Sequence, residues 1–251
     1  GLLDMDPVKA EEAGDFNATE NVIAGYGMLT QNFGKNLEAI VGLRVEQTKL
    51  EYQGYQYFED TDELTQSPKM KSDYTNILPG LHVNYKLKKN TVFRFAWTNT
   101  IARPDYFDLV PYREVSEDNE IAIGNPDLKP TKSMNFDISI ENYFKTIGMV
   151  SVGAFSKNIS DFIVNQTKED FDFEGNVWDT YNKPLNAGDA RIFGLEFAFQ
   201  RQLDFLPKAF SGLGFYANYT YNFSEVSKSN IAGRDDLSLP GSPKHTLNTS
   251  L

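Results

Sequence analysis

The sequence predicts an all-β chain of antiparallel strands that crosses a membrane as the wall of a β-barrel. Three observations carry that reading. Apolar and polar residues alternate with period two in segments of about ten residues, the length a tilted strand needs to cross a bilayer. Short and long connections follow one another in turn, and aromatics reach 14% of an otherwise hydrophilic chain, with 19 Phe and 13 Tyr.

Taken in order, the elements begin with a short helix. Asp6 and Pro7, then Val-Lys-Ala-Glu-Glu-Ala and Gly14, predict one turn or two capped by Asp6, in an outer-loop segment over 1–20. A weak alternation over 22–30 opens the strand series. In 37–47, Leu37, Ala39, Val41, Leu43 and Val45 share one face of an extended chain, opposite Glu38, Gly42, Arg44 and Glu46. Residues 77–87 set Ile77, Leu81, Val83 and Tyr85 against Gly80, His82, Asn84 and Lys86. Phe93, Phe95, Trp97 and Ile101 then oppose Arg94, Ala96, Thr98 and Thr100, and Met134, Phe136, Ile138 and Ile140 oppose Asn135, Asp137, Ser139 and Glu141. After a weaker run over 149–159, Phe193, Leu195, Phe197 and Phe199 face away from Gly194, Glu196, Ala198 and Gln200. Leu213 to Phe223 alternates again, and 245–251 begins another strand. About nine strands result.

Alternation alone suits a soluble sandwich as well as a membrane wall. The connections separate the two: 32–36, 88–90, 145–148 and 202–211 read as short, whereas 54–72, 102–132, 165–188 and 224–243 read as long. A barrel with tight turns on one rim and loops on the other explains this pattern, and a sandwich has no reason for it. The charges agree, since Arg44, Glu46, Arg94, Asp137, Glu141 and Glu196 all lie opposite the apolar stripes. A cation facing hydrocarbon at mid-depth would cost about 2 to 4 kcal/mol. No apolar run approaches the length of a membrane helix.

Composition narrows the chemistry. Lys and Arg total 24 against 35 Asp and Glu, a net charge of -11, which opposes a phosphate-binding surface and so excludes nucleic acid as a partner. Two histidines, His82 and His245, and no Cys leave no triad and no His-rich metal site. His82, on a strand's polar face, is expected to hydrogen-bond across the wall. Acidic loop residues such as Glu59, Asp60, Asp62 and Glu63 lack calcium-loop spacing, so no metal is assigned. No glycine-rich phosphate loop follows a strand. No catalytic residue and no cofactor emerge, and the chain is not read as an enzyme.

Ala102-Arg103-Pro104-Asp105-Tyr106-Phe107-Asp108-Leu109-Val110-Pro111-Tyr112, followed by Gly124-Asn125-Pro126-Asp127-Leu128-Lys129-Pro130, resembles the barrel of TonB-dependent outer-membrane receptors. Phe136 to Phe144, Val152 to Ile163, Asn186 to Glu196, Asn218 to Tyr221 and Leu239 to His245 follow in that family's order. The resemblance implies part of a 22-stranded transmembrane β-barrel in the cell outer membrane over 21–251, with long outer loops and short periplasmic turns. The plug domain, the TonB-contacting box and the terminal strands are expected to lie outside this sequence. It further implies TonB-dependent uptake of a small-molecule nutrient, with TonB, outer-membrane lipid and a surface lipoprotein as partners. The motif variants lean toward carbohydrate or oligosaccharide cargo, with siderophore or cobalamin also open. Where the family often has Glu after Pro130, this chain has Thr131, so no role is carried to that position.

Arg103, Pro104, Gly124, Asn125, Pro126, Leu128 and Pro130 are expected to be structural. The prolines fix the loop, Gly124 supplies a conformation other residues resist, and Arg103 pairs with an acidic neighbour. Tyr106, Phe107, Tyr112 and Arg94 are the candidate nutrient contacts. Two rivals stand beside this reading: a passive porin-like barrel, and a soluble all-β module in which Trp97, Phe193 and Phe197 pack inward.

Overall fold

The computed structural model describes residues 12, 14–58, 61–116, 118–145, 147–207, 210, 212–229, 239 and 241–251. Its strands are β1 (Phe16–Phe33), β2 (Leu37–Phe58), β3 (Glu63–Gln66), β4 (Met70–Lys88), β5 (Thr91–Ala102), β6 (Arg113–Val115), β7 (Glu120–Ile123), β8 (Thr131–Tyr143), β9 (Gly148–Phe173), β10 (Asn176–Gln202), β11 (Gly214–Ser229) and β12 (His245–Ser250), with one helical turn, α1 (Tyr106–Leu109). Apart from Glu12 and Gly14, the helix expected over 6–14 lies outside the described residues.

Among the described residues β1, β2, β4, β5, β8, β9, β10, β11 and β12 form the wall, each antiparallel to the next, in the places the alternation indicates. Register carries the two faces across the sheet. One row runs Ala39, Val83, Phe95, Ile138, Ala154, Leu195, Tyr221, and the next, on the opposite face, runs Glu38, Asn84, Arg94, Ser139, Gly153, Glu196, Thr220. No second layer covers the apolar rows among the described residues: Val41 is 54% exposed and Leu195 48%. Phe93 and Phe215 are half-buried rather than sealed in a globule. A soluble sandwich would bury them, so that rival falls.

The structure corrects two connections. Residues 165–188 form no loop but the top of a continuous hairpin, in which β9 and β10 pair until Phe173 meets Asn176. Glu174 (φ 57°) and Gly175 (φ 89°) both take positive φ, the geometry of the tight hairpin turn that suits strand twist. The charges of Glu169, Asp170 and Asp172 suggest a loop, yet Phe171 and Phe173 pack across the hairpin on Tyr181, in one cluster with Trp178. Likewise, much of 54–72 is strand, with β3 paired to the end of β2.

The third long connection, 102–132, folds into α1 and the hairpin β6–β7. β7 pairs in parallel with β10 at Thr180, Tyr181 and Asn182, and β6 pairs with β2 through Gln56 and Arg113. These bonds close β2, β4, β5, β8, β9, β10, β7 and β6 into a ring at the loop end. The buried cores sit here and not in the wall. Tyr57, Val115, Ile121, Trp178 and Tyr181 make one cluster, and Leu50, Tyr52, Leu109, Val110, Tyr112 and Leu128 a second. A third gathers Phe162, Ala187 and Ala190. We call this end of the molecule the cap. Each fully buried side chain of this size contributes about 1.5 to 3 kcal/mol.

Candidate functional site

The cap settles which face of the wall is interior. On β2 the residues Glu46, Thr48, Leu50, Tyr52 and Gly54 point to one side and are all buried under the 102–132 segment. This is the polar face, so the loop folds inward over it and leaves the apolar rows outside.

Arg103, directly after β5, anchors the entry of that loop. Its Nη2 donates to Glu46 Oε2 at 2.6 Å and to Thr48 Oγ1 at 3.4 Å, and its Nε lies 3.5 Å from Glu20 Oε1. Arg44 holds the other oxygen of Glu46. A carboxylate that is only 7% exposed is thus met by two guanidinium groups, which offsets the cost of taking it out of water. Asp105 caps α1 by accepting from the Phe107 N–H at 3.3 Å.

The Gly-Asn-Pro segment is a clip. A Cβ on Gly124 would lie 1.7 Å from the Val110 carbonyl oxygen, so lack of space, not a special backbone conformation, requires glycine there. Asn125 donates from Nδ2 to the Pro184 carbonyl at 2.9 Å and accepts the Asp127 N–H at 3.1 Å. Its own N–H reaches the Asp108 carbonyl at 2.7 Å. Tyr52 donates to the Pro126 carbonyl at 3.1 Å. Asn186 completes the clip from β10, donating to the carbonyls of Lys129 and Asp161 and accepting the Lys129 N–H. Pro104, Leu128 and Pro130 are buried beneath it. Sequence reading placed Asn186 in a motif but gave it no role, because its partners lie 25 and 57 residues away.

The three loop aromatics divide. Tyr106 is 41% exposed and donates to Glu20 Oε2 at 2.9 Å. Phe107 is half-buried and stacks on Tyr112 at 4.2 Å between ring centroids. Tyr112, a candidate contact in the sequence, is a core residue at 7% exposure. Burial pushes its hydroxyl up to about 12, with Asp108 and Glu114 adding to the effect. Asp108 is also held above its ordinary value, first by burial and then by Asp105.

Arg94 lies far from these, toward the short-turn rim. Its Nε and Nη2 grip Glu141 at 3.1 and 3.2 Å, its Nη1 donates to Asn84 at 3.0 Å, and Asn84 donates onward to Glu38 at 2.8 Å. Tyr143 donates to the same Glu141. A polar ladder therefore crosses β2, β4, β5 and β8. It borders a hollow of about 670 Å³ on the inner face, shared with His82, Asp137 and Glu196. Asp137, Glu141 and Glu196 give that hollow an acidic side. Contrary to expectation, the His82 ring makes no hydrogen bond to a described residue, its backbone alone pairing with β2 and β5. A second hollow of about 590 Å³ lies nearer the cap, between Tyr26, Arg44, Glu46 and Arg103. Among the described residues no three His, Cys, Asp or Glu side chains converge in a metal-binding group. The structure does not bring Arg94 and the loop aromatics together; they mark two levels of one interior.

Comparison with known proteins gives this architecture a place. No curated protein sequence matches the chain. Among solved structures it is similar to the copper transporter OprC, with a TM-score of 0.66, 17% identity, and coverage of 92% of this chain and 32% of that one. The ferric yersiniabactin uptake receptor FyuA from Yersinia pestis gives 0.64 at 15% identity, covering 93% and 31%. For the unliganded ferric citrate transporter FecA the values are 0.62, 17%, 93% and 30%. The chain spans about a third of the length of these proteins. The family model described as TonB dependent receptor-like, beta-barrel, matches residues 5–251, and with its outward apolar rows and inward-folded loop the chain belongs to that family of outer-membrane barrels.

Proposed function

We propose that this chain is the loop-bearing part of a receptor barrel for TonB-dependent uptake of a small nutrient, with no covalent chemistry. The observation that supports it most is the opposition of faces: apolar rows stand uncovered on the outside, while charged ladders and an ordered cap line the inside. Outer-membrane lipid covers the outward rows, and TonB is engaged through the rest of the receptor. Cargo meets the exposed ring of Tyr106 and the edge of Phe107 first, then the acidic hollow beside Arg94 and Glu141. The names of the solved neighbours mention copper, ferric citrate and ferric yersiniabactin, so a chelated metal is the cargo class to test first. The carbohydrate preference finds no support among them.

The test is uptake by cells carrying the full-length gene, with and without TonB, offered labelled ferric chelates and oligosaccharides. TonB-dependent accumulation of one compound is expected, reduced severalfold by Tyr106→Ala. Accumulation that survives loss of TonB would make the barrel a passive pore and end the proposal.

A further inference from the structure

A groove of about 440 Å³ crosses five strands of the wall, with Lys132, Ser160, Asn99, Asn158, Arg191 and Asp189 among its lining residues. Register places it on the outward face. Lys132 aligns with Ser160 in one outward row, and Asn99 leads through Met134 to Asn158 and Arg191 in the adjacent one. The row between, Thr100 to Ser133 to Ile159 to Ala190, turns its side chains to the other face and lends the groove its floor. Two residues further from the cap comes the apolar row of Trp97, Phe136 and Phe193. The groove therefore sits at the loop-side edge of the apolar belt.

Its cations are conspicuous in a chain of net charge -11. The Arg191 Nε donates to Asn158 Oδ1 at 3.1 Å, which steadies the guanidinium at the groove, and both Lys132 and Arg191 are exposed. Neither makes an ion pair with a described residue, although Asp189 lines the same groove. On the same face Lys69 and Lys71 are neutralised, both pairing with Glu51. Resting on the membrane-facing reading above, these residues lie at the depth where hydrocarbon gives way to headgroups, and a cation there costs little. Arg191 one outward row and Lys132 two rows above a belt of Phe and Ile side chains complement an anionic headgroup whose acyl chains run down that belt.

We propose that this groove holds a phosphate-bearing headgroup of a lipid in the loop-side leaflet, with Lys132 and Arg191 binding the phosphate and Asn99, Asn158 and Ser160 its neighbouring hydroxyls.

The experiment uses the full-length receptor in phosphatidylcholine nanodiscs doped with diphosphoryl lipid A, then counts retained lipid A by native mass spectrometry. The K132Q/R191Q double variant is expected to retain at least fivefold less, and the parent to retain dephosphorylated lipid A equally poorly. Lys145→Gln, at the opposite rim, is expected to behave as the parent. Equal retention by the double variant, or by the dephosphorylated lipid, overturns the groove. A second readout separates the underlying premise: bromine-labelled lipid should quench the parent more than Trp97→Phe. Absence of that difference removes lipid from the outward face and overturns both readings, whereas quenching with unchanged retention overturns only the groove.

Discussion

Leu195 and Trp178 belong to the same strand, yet the first is 48% exposed and the second 1%. Between them β10 passes from a region whose apolar side chains face outward to one whose apolar side chains face each other. In the wall, neighbouring strands share rows of Phe, Ile and Leu that touch no other layer. In the cap, Trp178 packs with Tyr57, Val115, Ile121 and Tyr181, residues brought from β2, β6, β7 and β10 as in a water-soluble domain. The strand is continuous through both, although in its cap arm the buried residues fall three apart, at Trp178, Tyr181, Pro184 and Ala187. What differs is the solvent each region is built for, and so the same kind of substitution has opposite consequences in the two.

The largest effect that would break this comparison is at the clip. Gly124→Ala puts a methyl group against the Val110 carbonyl and has no flexible side chain to push aside, so the cap should lose at least about 3 kcal/mol. Urea unfolding followed by Trp178 emission in the full-length protein should show a lower midpoint, with the wall's resistance to heat in detergent unchanged. A wall that weakens equally would mean the two regions are one cooperative unit. Next comes Leu195→Arg, which should cost the wall about 2 to 4 kcal/mol if Leu195 meets hydrocarbon, and leave the cap's midpoint alone. Refolding yield into lipid vesicles measures it.

The smallest effect sharpens the comparison through pH. Unfolded, Tyr112 loses its proton near the ordinary 10.0; folded, it keeps it until about 12. The folded form binds the proton more tightly, so the cap's stability is unaffected below pH 10 and declines from there to about 12. Urea midpoints at pH 9, 10.5 and 11.5 should fall accordingly, and Tyr112→Phe should flatten part of the decline. A midpoint that does not move would place Tyr112 in water.

The wall was legible because period two needs only neighbours in the chain: Val41, Phe95 and Leu195 announce their face within five residues on either side. Charges on the inner face, from Arg44 to Glu196, were legible by the same rule. The cap was not. β6 and β7 are 3 and 4 residues long, and their partners lie on β2 and β10, more than 50 residues away. The upper arms of β9 and β10 were hidden by composition, since Glu169, Asp170 and Asp172 look like solvated loop until the turn at Gly175 is seen. Tyr112 shows the remaining difficulty: an aromatic between prolines and acids reads as an exposed contact, and only the tertiary fold puts Leu50 and Leu128 around it. The Arg103–Glu46 pair could be anticipated in kind but not in identity.

The hairpin of β9 and β10 has one more consequence, in reach. With 26 and 27 residues, its strands extend about 85 Å at roughly 3.3 Å per residue, and about ten residues suffice to traverse a bilayer. More than half of each strand therefore projects past the hydrocarbon on the loop side. The tip at Glu174 and Gly175 stands level with the cap, Glu174 Oε2 lying 3.9 Å from Arg113 Nε, so an antibody or virus approaching a cell that displays this protein meets hairpin and cap as one surface.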